Sequence, residues 1–352
     1  DCPRSRLRAV VSVIDSSPLL HESLLNLMRW ISQYYHYPIG EVMLRSLPTR
    51  LRQGQSQLLV QRLGYQLTEL GCVVAQGPPL RAKKQQACLL FLKRSSPSIV
   101  NGETLKKECG YSVIQRCVEQ GWVEKVLMPD DEHARIDVME TPQSLTTEQS
   151  RAVSDICASD GFMPWLLNGV TGSGKTEVYL QAIHQVLLQG RQVLVLVPEI
   201  SLTPQTLSRF EKRFNAPVFS LHSGLSDKKR CENWLYASKN QPLIVIGTRS
   251  AVFAPLPELG MIIVDEEHDG SFKQQAGLRY SARDVAVMRA QKENIPIVLG
   301  SATPAFETLY NVKQGRYREI KLTQRVGGGE LPAMSVVDLK GQPLEAGLCE
   351  EV

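Results

Sequence analysis

Trp165–Thr176, WLLNGVTGSGKT, runs from an apolar segment through a glycine-rich turn and opens the helix-patterned TEVYLQAIHQVLLQ. Gly169, Val170, Thr171, Gly172, Ser173, Gly174, Lys175 and Thr176 match G-x-x-x-x-G-K-[ST] in the strand–loop–helix setting that the pattern requires. Glycines at these positions let successive backbone N–H groups wrap phosphate oxygens at a helix N-terminus. Lys175 is expected to neutralise the β- and γ-phosphates of ATP, and the Thr176 hydroxyl to ligate Mg2+. An ordinary glycine turn is a poor alternative, because it would need neither the strand before it nor the helix after it.

From about residue 142 onward, short apolar runs alternate with helical stretches. The runs are WLLNGV, QVLVLVPE, LIVIGT, MIIVDEE and IPIVLGSA. Continuous Val, Ile and Leu runs mark strands buried on both faces, so residues 142–333 are expected to form an α/β lobe around a parallel sheet. Asp265-Glu-Glu-His268 directly follows MIIV. Such a quartet alone is weak, since acidic loops usually face solvent. Beside a P-loop it is expected to be the second Mg2+-holding element, with Asp265 binding the ion through water and Glu266 polarising the attacking water. His268 joins Lys175, Asp265 and Glu266 as a candidate for catalysis.

Other candidates sit at strand ends. Gln149, in LTTEQ upstream of the P-loop, stands where a glutamine can read adenine. PEISLTPQ (198–205), Gly247-Thr248-Arg249-Ser250 and Gly300-Ser301-Ala302-Thr303-Pro304 place hydroxyls and backbone N–H groups where they suit phosphate contacts. Helix capping is the other role for such residues. As a series they read as DNA contacts at Thr248, Arg249 and Ser250 and as motor coupling at Gly300, Ser301, Ala302 and Thr303. The loop from Asp269 to Arg283 mixes Phe272 and Tyr280 with Lys273, Arg279 and Arg283. Interleaved aromatics and cations suit base stacking with phosphate contact; a packed loop with incidental charge is the alternative.

Charge is uneven along the chain. Net charge is +4, but residues 1–125 carry 17 Lys and Arg against 9 Asp and Glu, while residues 141–352 carry 22 of each. A basic front half suits a polyanionic partner, although it also serves solubility. Residues 1–53 start with a strand-like RAVVSVID, then a helix-like HESLLNLMRWISQYYHY and, past Pro38 and Gly40, a helical EVMLRSLPTRLRQG. Residues 54–141 read as a winged helix: KKQQACLLFLKRS, GETLKKECG and YSVIQRCVEQ as helices, WVEKVLM as a strand, and the acidic Pro129–Glu132 as a linker. The YSVIQRCVEQ helix would contact DNA. It carries only Arg116 as a basic side chain, so a spacer or protein-docking module is an equal reading.

No apolar run reaches the length of a membrane span, and DCPRSRLR lacks a signal-peptide core. The eight cysteines form no C-x-x-C pair, which argues against a zinc site or a disulfide framework in this chain and for a reducing, cytoplasmic setting.

GVTGSGKTEVYL, VPEISLTPQT, GTRSAVFAP, DEEHDGSFKQQ and GSATPAFETL together closely resemble PriA, the bacterial primosomal helicase family of superfamily 2, and YYHYPIGEVMLRSLPTRLRQG is similar to it too. The resemblance covers essentially the whole chain and is weakest in residues 55–140. It implies a 3′-to-5′ ATP-dependent DNA helicase that recognises stalled forks and reloads the replication machinery. It implies a 3′-end DNA-binding domain (here residues 1–53), a winged helix with its linker (54–141), a first RecA-like lobe (142–333) and the start of a connection to a second lobe (334–352). It further implies partners resembling PriB, DnaT and single-strand-binding protein, contact with forks, single strands and 3′ ends, and a nucleoid-associated place in the cytoplasm. By the same resemblance, the start of the 3′-end pocket, the second lobe with its arginine finger, and the zinc-binding cysteines are expected outside these residues. Zn2+ would then belong to the complete protein only, and this chain would bind nucleotide and DNA but scarcely unwind. The competing readings are another superfamily 2 translocase, of the RecG or restriction-motor kind, and a DNA-binding regulator whose P-loop only senses ATP.

Overall fold

A computed structural model describes residues 12–15, 18–54, 63–78, 82–95, 99–127, 143–326, 338 and 340. Three helices come first: α1 (Glu22–Tyr34), α2 (Ile39–Ser46) and α3 (Thr49–Arg52). In α1 the buried side chains Leu24, Leu27, Met28 and Ile31 recur at the spacing of one helical face. Pro38 and Pro48 stand at the N-caps of α2 and α3, where a missing N–H costs nothing. Residues 12–15 are irregular, so the described end of RAVVSVID forms no strand; residues 8–11 lie outside the described residues.

The next module is β1 (Leu63–Leu67), α4 (Glu69–Gln76), α5 (Lys83–Ser95), β2 (Val100–Asn101), α6 (Gly102–Cys109), α7 (Tyr111–Glu119) and β3 (Val123–Leu127). Its antiparallel sheet has the order β2-β1-β3. The three expected helices and the expected strand are present, and β1, α4 and β2 extend them. Thr68 caps α4 by accepting the Gly71 N–H. The module has its own core of Cys88, Leu89, Leu92, Leu105, Ile114, Cys117 and Val123. Pro129–Glu132 lies outside the described residues.

The large lobe comprises α8 (Thr147–Cys157), β4 (Pro164–Gly169), α9 (Lys175–Leu188), β5 (Gln192–Leu196), α10 (Pro204–Arg213), β6 (Val218–Leu221), α11 (Asp227–Ala237), β7 (Ile244–Gly247), β8 (Leu259–Val264), α12 (Ala282–Glu293), β9 (Ile297–Ser301), α13 (Phe306–Lys313) and β10 (Arg318–Leu322). Its seven strands form one sheet in the order β10-β4-β9-β8-β5-β7-β6, with every pair parallel. Side chains alternate between the two faces, so Val193 and Val195 of β5 enter one core while Leu194 and Leu196 enter the other. Five strands carry the apolar runs expected from sequence. The two edge strands, β6 and β10, do not: their burial alternates, and REIKL keeps charge on its outer side.

The N-terminal helices share the second of those cores. Leu24, Leu27, Met28, Ile31, Val42 and Leu51 pack in one cluster with Leu194, Val245, Ile262, Ala286 and Ala290. The Ser281 N–H donates to the Tyr35 hydroxyl at 3.2 Å, and Thr49 donates to Asp227 at 3.3 Å. Burying each aliphatic side chain contributes about 1.5–3 kcal/mol. Ile31 is fully buried, so Ile31→Ala should cost about 2–5 kcal/mol. Thermal unfolding followed by hydrogen exchange should show that loss in the large lobe and not in residues 63–127. A loss confined to residues 22–52 would contradict the shared core.

Candidate active site

The glycine-rich turn leaves β4 and enters α9 through Gly174, the helix N-cap, which is left-handed at φ +79°. Gly172 is also left-handed, at φ +80°. These are the conformations a Cβ disfavours, and they turn successive N–H groups inward. The Lys175 ammonium donates to the Gly169 carbonyl at 2.9 Å. The Ser173 hydroxyl is buried within the loop with no partner among the described residues. Thr171 and Gly172 are exposed, and Thr176 is half-buried at the start of α9.

Gln149 holds this loop from behind. Its Oε1 accepts the Thr146 N–H at 2.8 Å, completing a capping box, and its Nε2 donates to the Ser173 carbonyl at 2.8 Å. The side chain is only 3% exposed. The structure thus places Gln149 against the phosphate loop, with one bond to protein at each end of its amide.

The acidic side lies two strands away, across β9. Asp265 follows β8, and its Oδ1 accepts the Tyr179 hydroxyl at 3.0 Å. Burial, then the neighbouring Glu266, pushes the Asp265 carboxyl above its ordinary value; the Tyr179 hydrogen bond and Lys175 oppose this. Tyr179 reaches Asp265 past Gly300, where a Cβ would collide with the phenol oxygen. Glu266 is left-handed at φ +48°, a conformation rare for a residue with a side chain and concentrated at functional sites. Asp265 and Thr176 offer hard oxygen donors that suit Mg2+, and a cation there would relieve the two crowded carboxylates.

His268 links this acid to the end of β9. Its Nδ1 lies 2.7 Å from the Ser301 hydroxyl and 3.6 Å from Glu266 Oε2, and its Nε2 lies 3.4 Å from the Thr303 hydroxyl. Its contacts are those of a connector between Asp265–His268 and Gly300–Thr303. Glu267, to which sequence reasoning gave no role, is the hub. It is 1% exposed. It accepts from Arg283 at 3.0 Å, from the Thr308 hydroxyl at 2.8 Å and from the Ala305 N–H at 2.7 Å. Its own N–H donates to the Gly300 carbonyl at 3.0 Å. No signal separates Glu267 from Glu266 in DEEH, because burial of an acid leaves no mark on the letter sequence.

The loop from Asp269 to Arg283 departs from the stacking expectation. Phe272 is 2% exposed and Tyr280 8% exposed, both in the large-lobe core, with Tyr280 edge-on to Phe253 at 5.3 Å between centroids. Arg283 is buried against Glu267 and Asp284. Buried rings cannot meet bases, and a paired guanidinium is not free for phosphate, so these three assignments are corrected. Lys273 and Arg279 remain exposed, as does Ser250. Thr248 is buried, and Arg249 donates to the Ser271 carbonyl at 3.2 Å, fastening the loop.

Residues 146–312 match the DEAD/DEAH box helicase family, and residues 1–48 match the PriA 3′ DNA-binding domain. The replication restart protein PriA of Haemophilus influenzae is 40% identical over 99% of this chain and 48% of its own length. The PriA of Bacillus subtilis is 40% identical over 76% of this chain and 34% of its own. That of Treponema pallidum is 46% identical over 57% of this chain and 31% of its own. Among solved structures, RecG bound to a three-way DNA junction superposes loosely, with a TM-score of 0.42 and 24% identity over 54% of this chain and 25% of that one. With a 3′ DNA-binding segment at one end, a helicase lobe at the other and PriA-like sequence throughout, the chain belongs to the PriA family of replication restart proteins and spans about half the length of the relatives it matches.

Proposed function

We propose that this chain carries the ATP-binding lobe of a 3′-to-5′ DNA helicase that recognises stalled replication forks and restarts replication by primosome assembly. The observation that carries the reading is the Gly169–Thr176 cradle opening at the same sheet end as Asp265 and Glu266, with Tyr179 bonded to Asp265 between them. Ligands of open α/β sheets sit at the carboxyl ends of the strands. In this reading residues 1–53 contribute to 3′-end binding, 54–141 form the winged helix and linker, 142–333 form the lobe, and 334–352 lead onward. Forks, single strands and 3′ ends are the proposed substrates, and proteins resembling PriB, DnaT and single-strand-binding protein the proposed partners. A cytoplasmic, nucleoid-associated location follows from that role. Among the described residues no helix is long and apolar enough to cross a membrane.

The residues divide the work as follows. Backbone N–H groups of Thr171, Gly172, Gly174 and Lys175 and the Lys175 ammonium bind the β- and γ-phosphates, which draws Lys175 off the Gly169 carbonyl, while Gly169, Val170 and Ser173 shape the loop. Thr176 and Asp265 hold Mg2+, which when bound neutralises charge on the phosphate oxygens. Glu266 orients the attacking water and accepts its proton. Ser250, Lys273 and Arg279 meet the DNA backbone, with Thr248 and Arg249 shaping that surface. Gly300, Ser301, Ala302 and Thr303 pass the state of the nucleotide onward through His268 and Glu267.

Lys175→Ala should nearly abolish ATP binding, because it removes the side-chain cation proposed at the phosphates; titration with a fluorescent ATP analogue reads this, and unchanged affinity would sink the P-loop assignment. Glu266→Gln should keep Mg·ATP affinity and lose hydrolysis in single-turnover assays of the complete enzyme. A rate within a few-fold of wild type, about 1 kcal/mol in barrier, would refute the role of Glu266. Glu267→Ala should destabilise the lobe by up to about 3–5 kcal/mol, since Arg283 would lose its buried partner and keep only the exposed Asp284. Glu267→Gln keeps one of the two acceptor oxygens and the side-chain shape, so it should fold with a smaller loss of stability, yet weaken stimulation of ATPase by DNA. Full stimulation in that variant would remove Glu267 from the coupling route.

A further inference from the structure

Strand β10 ends beside the phosphate cradle, and the chain that leaves it crosses the cradle. Leu322 pairs with Gly169, and its carbonyl accepts the Val170 N–H at 3.2 Å. Four residues on, the Val326 N–H donates to the Gly172 carbonyl at 2.9 Å. Between these points Thr323 is tied to α8: its N–H and hydroxyl donate to the two Glu148 oxygens at 2.8 and 2.6 Å. Those two bonds, the hydroxyl first, hold the Glu148 carboxyl below its ordinary value. Leu322–Val326 is thus a strap fastened to the P-loop through Leu322 and Val326, and through Thr323 to the residue beside Gln149.

Arg325 lies at the centre of this strap. It is half-buried, and its Cγ is the heavy atom nearest to where a Cβ on Gly172 would stand, at 4.0 Å. Among the described residues it forms no ion pair or hydrogen bond. The stem of Arg325 is thus held beside the phosphate loop, and its guanidinium is left without a described partner. The phosphates already have Lys175 and the inward N–H groups. The α8 side of the cradle is where sequence reasoning set adenine recognition, and Gln149 there is engaged with the P-loop itself. A planar guanidinium stacks well on a purine face, whereas an ammonium does not.

We propose that Thr323–Val326 is the nucleoside wall of the ATP site, with Arg325 stacking on the purine base. This rests on the P-loop reading of the previous subsection and adds to it a base-contacting residue from a segment outside the helicase motifs. Glu148 is the positioning residue that holds the wall.

Calorimetric titration of the 352-residue chain with ATP, ADP and inorganic tripolyphosphate tests it, in wild type, Arg325→Ala and Arg325→Lys. Both variants should weaken ATP and ADP about three- to thirtyfold and leave tripolyphosphate within twofold, because only the nucleotides carry a base. Thermal unfolding checks the fold, and Arg325→Lys keeps charge and stem if the alanine variant fails to fold. A parallel loss of tripolyphosphate affinity would overturn the proposal by placing Arg325 on the phosphates, as would unchanged affinity for all three. Lys175→Ala separates the two readings. If it abolishes binding while the Arg325 variants do not alter it, only the nucleoside wall falls; if wild type binds neither ATP nor tripolyphosphate, the P-loop reading falls with it.

Discussion

A carboxylate buried without partners would cost several kcal/mol, and Glu267 meets that demand through both of its oxygens. Arg283 donates to them from the start of α12, and Thr308 and the Ala305 N–H donate from α13 and the turn before it, while the Glu267 backbone N–H donates to the Gly300 carbonyl of β9. One residue therefore ties together the acid-bearing strand, its neighbour and two helices. The left-handed Glu266 beside it is held in an unfavoured conformation because Asp265 and Glu267 are each fixed on either side. Remove the hub and the strain at Glu266 has nothing to sustain it.

The same anchoring offers a route for the proposed coupling between nucleotide and DNA. A close-packed interior has discrete arrangements and does not deform continuously. Glu267 and His268 are the next two residues along the chain from Glu266, the proposed water-orienting residue. Through them the route reaches Ser301, Thr303 and Ala305. The loop carrying Lys273 and Arg279 is fastened at its start through Ser271 and Arg249, and at its end by Arg283 on Glu267. Its aromatics are the rivets of that loop, not its ligand surface. The loop can therefore carry exposed cations on a rigid base.

What could be read in advance followed physical lines. The five central strands were legible because burial on both faces forces an unbroken apolar run. The edge strands β6 and β10 were not, since one exposed side permits polar residues and erases the run. The phosphate loop was legible because backbone geometry demands glycine at Gly172 and Gly174. Phe272 and Tyr280 were misjudged for the opposite reason: an aromatic beside cations has the same letters whether it points to solvent or core. The bond from Gln149 to the phosphate loop was not legible, since an amide serves equally well to read a base or to brace a backbone carbonyl. β1 and α4 escaped notice because Leu63–Leu67 is five residues long with glycine in it, too short for a clear period.

In the proposed mechanism, nucleotide binding in the cradle is felt, through Glu267, at the turn that begins α13. Hydrogen–deuterium exchange of the chain with and without a non-hydrolysable ATP analogue and Mg2+ measures this directly. Slowed exchange at Gly169–Thr176 accompanied by changed exchange at residues 300–308 is the expected result. Protection of the phosphate loop with no change at residues 300–308 would contradict the account.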